Sequence, residues 1–480
     1  MKLKQIFPSL GLRQETCGIE VKGISDNSCL IKKGDLFFVR PGDSFDIFSV
    51  LKKIEREVSV YVAAEKDARR IAACNLKKPV VFLKNINEQF YKTVDSFYGI
   101  DKNNFKFIGI TGTKGKTTTA FLIRYLLSSL KQKASLISTI KYIVGKKTYP
   151  ATHTTPDFLS LRKIFSEAST NKKGYVVMEV SSHAIGQDRI RGIDFSRCVF
   201  TNLSREHLDY HKTMRNYFLA KKSFFLENIN AVSIINKDDA CSKELIKGLK
   251  KVITYGVRSN ADFKACDLVV DRNGIKFGLL HKGKYFKVES GLLGKHNVHN
   301  VLAAIATIFS LGFALNDIIK IVKRFKGVEG RLEEVKKGIF IDYAHSPDSL
   351  EKALETLKDI GYNKTICVFG CGGNRDKGKR KVMGHIASRL ADFTIITSDN
   401  PRDENPYAIC RQIESGFGTK KYSLVLDRKK AIAKALKLKG SLSGVCLLVA
   451  GKGHENYQII GDRKISFKDS KVVEELLRDL

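Results

Sequence analysis

Lys106-Phe-Ile-Gly-Ile-Thr-Gly-Thr-Lys-Gly-Lys-Thr-Thr-Thr119 reads as a buried strand, a glycine-rich turn and the start of a helix through 120–130. Backbone N–H groups of such a turn cradle phosphates, and the positive end of the following helix adds to their pull. Lys116 can reach a γ-phosphate and the Thr117 hydroxyl can ligate Mg²⁺. The glycine spacing departs from the usual phosphate-loop pattern, because Gly112 sits closer to Gly115 and Gly109 farther away. An ordinary Gly/Thr turn is the plainer alternative, but strand, turn and helix together favour an ATP site.

Strand-like runs recur at 175–180, 197–201 and 231–236, separated by helical lengths, which predicts a mostly parallel sheet with helices on both faces. Upstream, apolar runs at 34–39, 58–64 and 79–83 predict a small α/β unit, and after Gly330 further candidates lie at 339–342, 365–369, 393–397 and 445–449. The expectation is an α/β chain of three domains. These are a small α/β N-terminal domain (1–92), a central phosphate-loop domain (93–330) and a Rossmann-like C-terminal domain (331–480).

At 480 residues the chain is long enough for several domains, and 43% hydrophobic content excludes a disordered chain. No apolar run reaches the length of a membrane span and no signal-peptide pattern opens the sequence, so a soluble cytoplasmic protein is expected. The net charge of +34 raises nucleic acid as a partner. The lysines are spread along the whole chain, however, and a solvated basic surface accounts for them. Ten cysteines without a C-x-x-C pair fit reduced thiols.

Beyond the turn, Met178-Glu179-Val-Ser181-Ser182-His183 ends a strand, where parallel sheets place ligands, and Glu179 can hold Mg²⁺. Phe200-Thr-Asn-Leu-Ser-Arg-Glu-His207-Leu-Asp-Tyr-His211 follows another strand, and His207 joins the same reading. Lys221 gives no signal by itself and reads as a solvated helix lysine. In the third unit Arg331 and Asp342 suit a phosphate and a ribose hydroxyl. Three polar loops follow strands of one sheet: Phe369-Gly-Cys-Gly-Gly-Asn-Arg375-Asp-Lys-Gly-Lys-Arg380, Asp399-Asn400-Pro401-Arg402 and Gly451-Lys-Gly-His-Glu455. They predict a pocket at its carboxyl edge, with Arg402 gripping a carboxylate and Glu455 an ammonium.

Together with His153-Thr-Thr-Pro156, Gly294-Lys-His-Asn-Val-His-Asn300 and Gly330-Arg-Leu-Glu333, these motifs run over nearly the whole chain in one order. In that order the chain resembles the Mur ligases of peptidoglycan synthesis, and among them those that add the third residue of the stem peptide. The resemblance implies an ATP- and Mg²⁺-dependent ligase joining meso-2,6-diaminopimelate to UDP-N-acetylmuramoyl-L-alanyl-D-glutamate, with small molecules as its only partners and a monomer expected. It assigns Gly112, Thr113, Lys114, Gly115, Lys116, Thr117, Thr118, Asn300, Arg331 and Asp342 to ATP. Ser28, Thr154, Thr155, Ser181, Gln187 and Arg189 fall to the nucleotide sugar peptide, and Arg375, Asp399, Asn400, Pro401, Arg402, Gly451 and Glu455 to diaminopimelate. Lys221 stands at the place of a carbamylated lysine, with Lys222 one register away, and would hold Mg²⁺ together with Thr117, Glu179 and His207.

The sequence also departs from the family. Asn27-Ser28-Cys29 replaces the usual Asp-Ser-Arg, and His153 stands where some relatives have asparagine. Two histidines, His211 and His345, are open as general base. L-Lysine as the added residue, or a folylpolyglutamate-synthetase-like activity, is the alternative ligase reading. A nucleic-acid-stimulated motor lacks a Walker B run and a basic stripe with aromatics.

Overall fold

The computed structural model describes residues 1–478 apart from 9, 12–13, 42–44, 100–103, 170–173, 419–420 and 443. Three sheets organise it. The first has four parallel strands in chain order, Gly23–Ser25, Asp35–Phe38, Val58–Ala64 and Val80–Leu83. Leu36, Phe38, Val60 and Val62 on one face pack with Phe90 and Val94 of the helix Ile86–Tyr98. The expected limit at 92 falls inside that helix, so the first core runs on to Tyr98. Phe158 and Leu159 of the helix Phe158–Ser169 complete the same core. The Arg162 guanidinium, 2% exposed, donates to Asp95 Oδ1 at 2.6 Å and to the Arg191 carbonyl at 2.7 Å, tying that helix to the first lobe.

The central sheet has eleven strands, and a run of seven is parallel, with Phe105–Thr111 in its middle between Phe195–Phe200 and Gly174–Glu179. The run 106–110 sits in the middle because it is apolar on both faces, with Ile108 and Ile110 in one core and Phe107 in the other. From it the chain runs out to Ala134–Ile137 on one side, and from Gly174–Glu179 it crosses to Phe195–Phe200 on the other, so its carboxyl end lies where the strand order reverses. Both margins are antiparallel hairpins, Lys141–Val144 with Lys147–Pro150 and the strands Phe263–Asp271, Gly274–His281 and Lys284–Ser290. The third sheet has six strands, with Val445–Ala450 between Ile339–Asp342 and Lys364–Phe369, and only Glu333–Lys336 antiparallel.

All ten cysteines are free. Among the described residues no helix is long and apolar enough to cross a membrane.

Behind the third sheet, Arg428 and Asp469 form a fully buried pair joined by two bonds of 2.8 Å, and Arg428 Nη2 also donates to the Ala450 carbonyl at 2.9 Å. Removing one partner strands the other charge in the core. Arg428→Met is therefore expected to cost about 3–5 kcal/mol, seen as a lower urea midpoint for this lobe. Arg428→Met with Asp469→Leu is expected to recover much of that loss.

Candidate active site

The helix expected over 120–130 begins earlier, at Lys116, and runs to Ser129, with Gly115 as its N-cap at φ +84°. Gly112 lies at φ +144°, and a Cβ on either glycine would run into Thr201 Oγ1 or Asn300 Oδ1. Those two positions therefore exclude any side chain. The turn is braced from the neighbouring strand end: Thr113 N donates to the Asn202 carbonyl at 2.8 Å and Lys114 N to Asn202 Oδ1 at 2.9 Å. Thr201 Oγ1 donates to the Lys114 carbonyl at 2.7 Å. Such bracing fixes the turn at the strand end, beside the cavity that Lys114 and Gly115 border.

Lys116 Nζ folds onto the loop, 2.8 Å from both the Gly112 and Thr113 carbonyls, and burial lowers its pKa. Thr117 Oγ1 donates to Glu179 Oε2 at 3.0 Å. Glu179 is fully buried and also receives Thr139 N at 2.9 Å and Thr139 Oγ1 at 3.2 Å. Thr139 is a contact that sequence reading missed, since nothing in its neighbourhood marks it. Hard oxygens of Thr117 and Glu179 in contact beside a phosphate loop fit Mg²⁺, which takes few protein ligands and completes its shell with phosphate and water. Among the described residues no three His, Cys, Asp or Glu side chains converge on a cation position, so the protein alone builds no closed chelate.

Lys221, 1% exposed, lies directly beneath the loop, contrary to its reading as a solvated lysine. Its Nζ donates to the Gly112 carbonyl at 3.1 Å and stands 4.4 Å from the Tyr217 ring centre, and the Tyr217 hydroxyl is 3.2 Å from Thr113 Oγ1. Burial, then the nearby Lys116 charge, holds its pKa well below the usual lysine range. Lys222 lies over Phe218 instead. His207, at φ +57°, belongs to a cluster of rings with His183 at 4.9 Å, and His183 lies 5.7 Å from His211. Burial, foremost, lowers the pKa of all three, which leaves them neutral imidazoles at pH 7. His211 Nε2 is 2.9 Å from Ser182 Oγ.

Five of the six residues expected to meet the carrier, all but Ser28, form one connected patch at the end of Gly174–Glu179. Thr155 Oγ1 donates to the Glu179 carbonyl at 2.8 Å and accepts from Ser181 N at 3.0 Å. Arg189 donates to the Thr155 carbonyl at 2.8 Å and to Gln187 Oε1 at 2.6 and 3.0 Å. Thr154 Oγ1 is 3.1 Å from Thr139 Oγ1. Ser28 stands apart, in a turn of the first lobe beside a pair the sequence did not single out, Asp26 and Arg40 at 2.8 Å, with Arg40 over the Phe90 ring at 4.2 Å.

A cavity of about 400 Å³ opens between the central and third lobes, bordered by Lys114, Gly115, Thr118, His296, Asn300, Arg331 and Asp342. Arg331 Nη2 is 3.5 Å from Thr117 Oγ1, while its buried Nε has no partner among the described residues. An orphaned buried guanidinium N–H of this kind suits an anionic ligand. Asp342 accepts from Leu332 N at 2.6 Å, and burial pushes its carboxyl up to about 6.

A second, larger cavity of about 1200 Å³ is bordered by Thr139, Thr154 and His207 of the central lobe and by Tyr343, Arg375, His454 and Glu455 of the third. One space thus joins Thr139, Thr154 and His207 of the central lobe to Arg375 and Glu455 of the third. In the turn before Glu455, Gly451, at φ +111°, packs against Asp399, where a Cβ would come within 2.8 Å of Oδ2. Asn400, 4% exposed, gives its Nδ2 to Glu455 Oε2 at 2.9 Å. Arg402, at φ +51°, turns its guanidinium to the Gly373 carbonyl at 2.7 Å and does not border the cavity. Arg380, fully buried, clamps Glu404 at 2.8 and 3.0 Å and the Gly372 carbonyl at 3.1 Å, holding the 372–375 turn against the one that carries Pro401.

A model of the Mur ligase middle domain matches residues 110–308, and one of the Mur ligase glutamate ligase domain matches 330–453. The UDP-N-acetylmuramoyl-L-alanyl-D-glutamate–2,6-diaminopimelate ligase of Clostridium tetani is 35% identical over 100% of both chains. That of Aquifex aeolicus is 39% identical over 95% of this chain and 94% of its own. A solved structure of a ligase of the same description superposes with a TM-score of 0.66 at 29% identity, covering 100% of this chain and 99% of the other.

Proposed function

The chain belongs to the Mur ligase family, and from that footing we propose that it joins meso-2,6-diaminopimelate to UDP-N-acetylmuramoyl-L-alanyl-D-glutamate in the cytoplasm. It is an ATP-dependent, amide-forming ligase of peptidoglycan precursor synthesis. The observation that carries the substrate reading is the single cavity in which His207 and Thr154 face Arg375 and Glu455.

In this reading the triphosphate lies along the 112–116 turn, with its nucleoside between Asn300 and Asp342. The terminal carboxylate of the carrier attacks the γ-phosphorus, the bond to the bridging oxygen breaks, and ADP leaves an acyl phosphate. One amine of the diamino acid then attacks the acyl carbon, and the tetrahedral intermediate expels phosphate as the amine's proton passes to solvent or to that phosphate. Lys116, Arg189 and Arg331 face the negative charge that gathers as reactants meet, in a cleft where low dielectric strengthens them. Thr117, Glu179, His207 and carbamylated Lys221 would hold Mg²⁺, which when bound neutralises charge on the phosphate oxygens. A neutral amine at Lys221 is the form that adds CO₂, and the carbamate would set an anion beside the Lys116 ammonium. Ser181 and Thr155 fix the end of the Gly174–Glu179 strand against which the carrier's peptide lies. The parts sit on separate lobes, so lobe closure completes the site.

Phosphate release with ATP, Mg²⁺ and the UDP-muramoyl dipeptide is expected to depend on meso-diaminopimelate. Dependence on L-lysine instead would overturn the pocket assignment, and dependence on glutamate and a folate would overturn the substrate class. Arg402→Ala removes a guanidinium that can leave the Gly373 carbonyl for a substrate carboxylate. It is expected to raise the diaminopimelate KM about 10- to 100-fold with the ATP KM unchanged, in line with the loss of one charged hydrogen-bonded pair. Equal effects on both KM values would place Arg402 outside the pocket.

A further inference from the structure

Lys452 is fully buried at the amino-acid end of the cleft. Its ammonium donates to Asn400 Oδ1 and to Glu455 Oε2, both at 3.1 Å, and lies 5.6 Å from the Tyr457 ring centre. Asn400 Oδ1 also accepts from Ile459 N at 3.0 Å, so two donors fix that oxygen and the amide must present its Nδ2 to Glu455. Glu455 Oε2 therefore receives two donors from below. Its Oε1 takes no hydrogen-bond partner among the described residues, and Glu455 borders the large cavity. Burying an ammonium is costly unless the geometry repays it, and a turn that only had to close the strand end would be cheaper with an apolar side chain here.

We propose that Lys452 is a positioning residue for substrate selectivity. By occupying Glu455 Oε2 it leaves Oε1 as the single oriented acceptor for the second ammonium of a diamino acid, the one that does not form the amide. The inference rests on the diaminopimelate reading of the cavity. Orientation is the gain, because a carboxylate already satisfied on one oxygen and held by two donors cannot swing to meet an analogue that lacks the ammonium. A site built to bond a polar group rejects the analogue without it, because its own buried group is then left unpaired.

The test compares meso-diaminopimelate with L-2-aminopimelate, which keeps both carboxylates and the reacting amine but lacks the second ammonium. Lys452→Met is expected to lower the preference for diaminopimelate, as a ratio of kcat/KM values, by about tenfold or more. The ATP KM and the kcat/KM for aminopimelate should stay within about threefold of the parent. Lys452→Gln, which keeps a donor, is expected to fall between the two, and it carries the test if the methionine variant does not fold. Glu455→Gln separates the two claims. If it loses the preference while both Lys452 variants keep it, the positioning role is overturned and the pocket assignment stands. If Glu455→Gln keeps the preference, the second ammonium is not read by Glu455, and the assignment falls with the proposal. A uniform loss on both amino acids and on ATP would mark Lys452 as a packing residue and would also overturn the role.

Discussion

Lys116→Met is expected to lower kcat by about 10²–10³-fold, the cost of removing one preorganised positive group from a transition state that gathers phosphoryl charge. In the proposed reading Lys116 stands where that charge develops, and its Nζ is held 2.8 Å from two carbonyls of the 112–116 turn. Burial disfavours its charged form, and the arriving triphosphate restores it. Methionine keeps the length and the packing and removes only the charge. ATP binding by calorimetry should weaken far less than kcat falls, because the backbone N–H groups and Arg331 still meet the phosphates. An unchanged kcat would mean that the γ-phosphate lies elsewhere. Lys116→Arg is expected to rescue poorly, since a planar fork cannot sit between the Gly112 and Thr113 carbonyls as an ammonium does.

Much of this site was legible because its parts are contiguous or fall at strand ends. Residues 112–117 carry their own turn and helix signals, and a parallel sheet sends the residues after each strand to one edge, which brings Arg375, Asn400 and Glu455 together from three loops. Contacts between distant segments left no trace. Thr139 reaches Glu179 across 40 residues, and Lys221 reaches Gly112 across 109, from a helix whose pattern gives every lysine an exposed reading. Only the family resemblance singled Lys221 out. The helix Ile86–Tyr98 shows the limit of boundary reading, since Phe90 and Val94 face the first sheet and nothing in the local composition marks where that core stops. The antiparallel hairpin at 263–290 was missed although it carried a signal. Asn273-Gly274 and Lys282-Gly283 are turn dipeptides, and Lys282 and Gly283 both adopt positive φ, as a tight two-residue hairpin turn requires.

Lys221→Ala is expected to be the most damaging change beneath the loop, lowering kcat by about 10³-fold, the upper end of what one preorganised group contributes. An uncharged buried lysine 3.1 Å from the Gly112 carbonyl could act merely as a brace, and Lys221→Gln, which keeps a donor, would then be nearly normal. A carbamate predicts otherwise. Both variants lose the anion, and short-chain carboxylic acids should partly restore Lys221→Ala by filling the space over Tyr217 with a carboxylate, whereas amines of the same length should not. A second reading is independent of turnover: the parent protein given ¹³C-bicarbonate should show a carbamate carbon signal that Lys221→Ala lacks and Lys222→Ala retains. Full activity of Lys221→Ala without added acid, or the same signal in its spectrum, would remove the carbamate. Lys116 would then keep a neutral amine as its neighbour, and Thr117, Glu179 and His207 would be left as the donors beside the γ-phosphate.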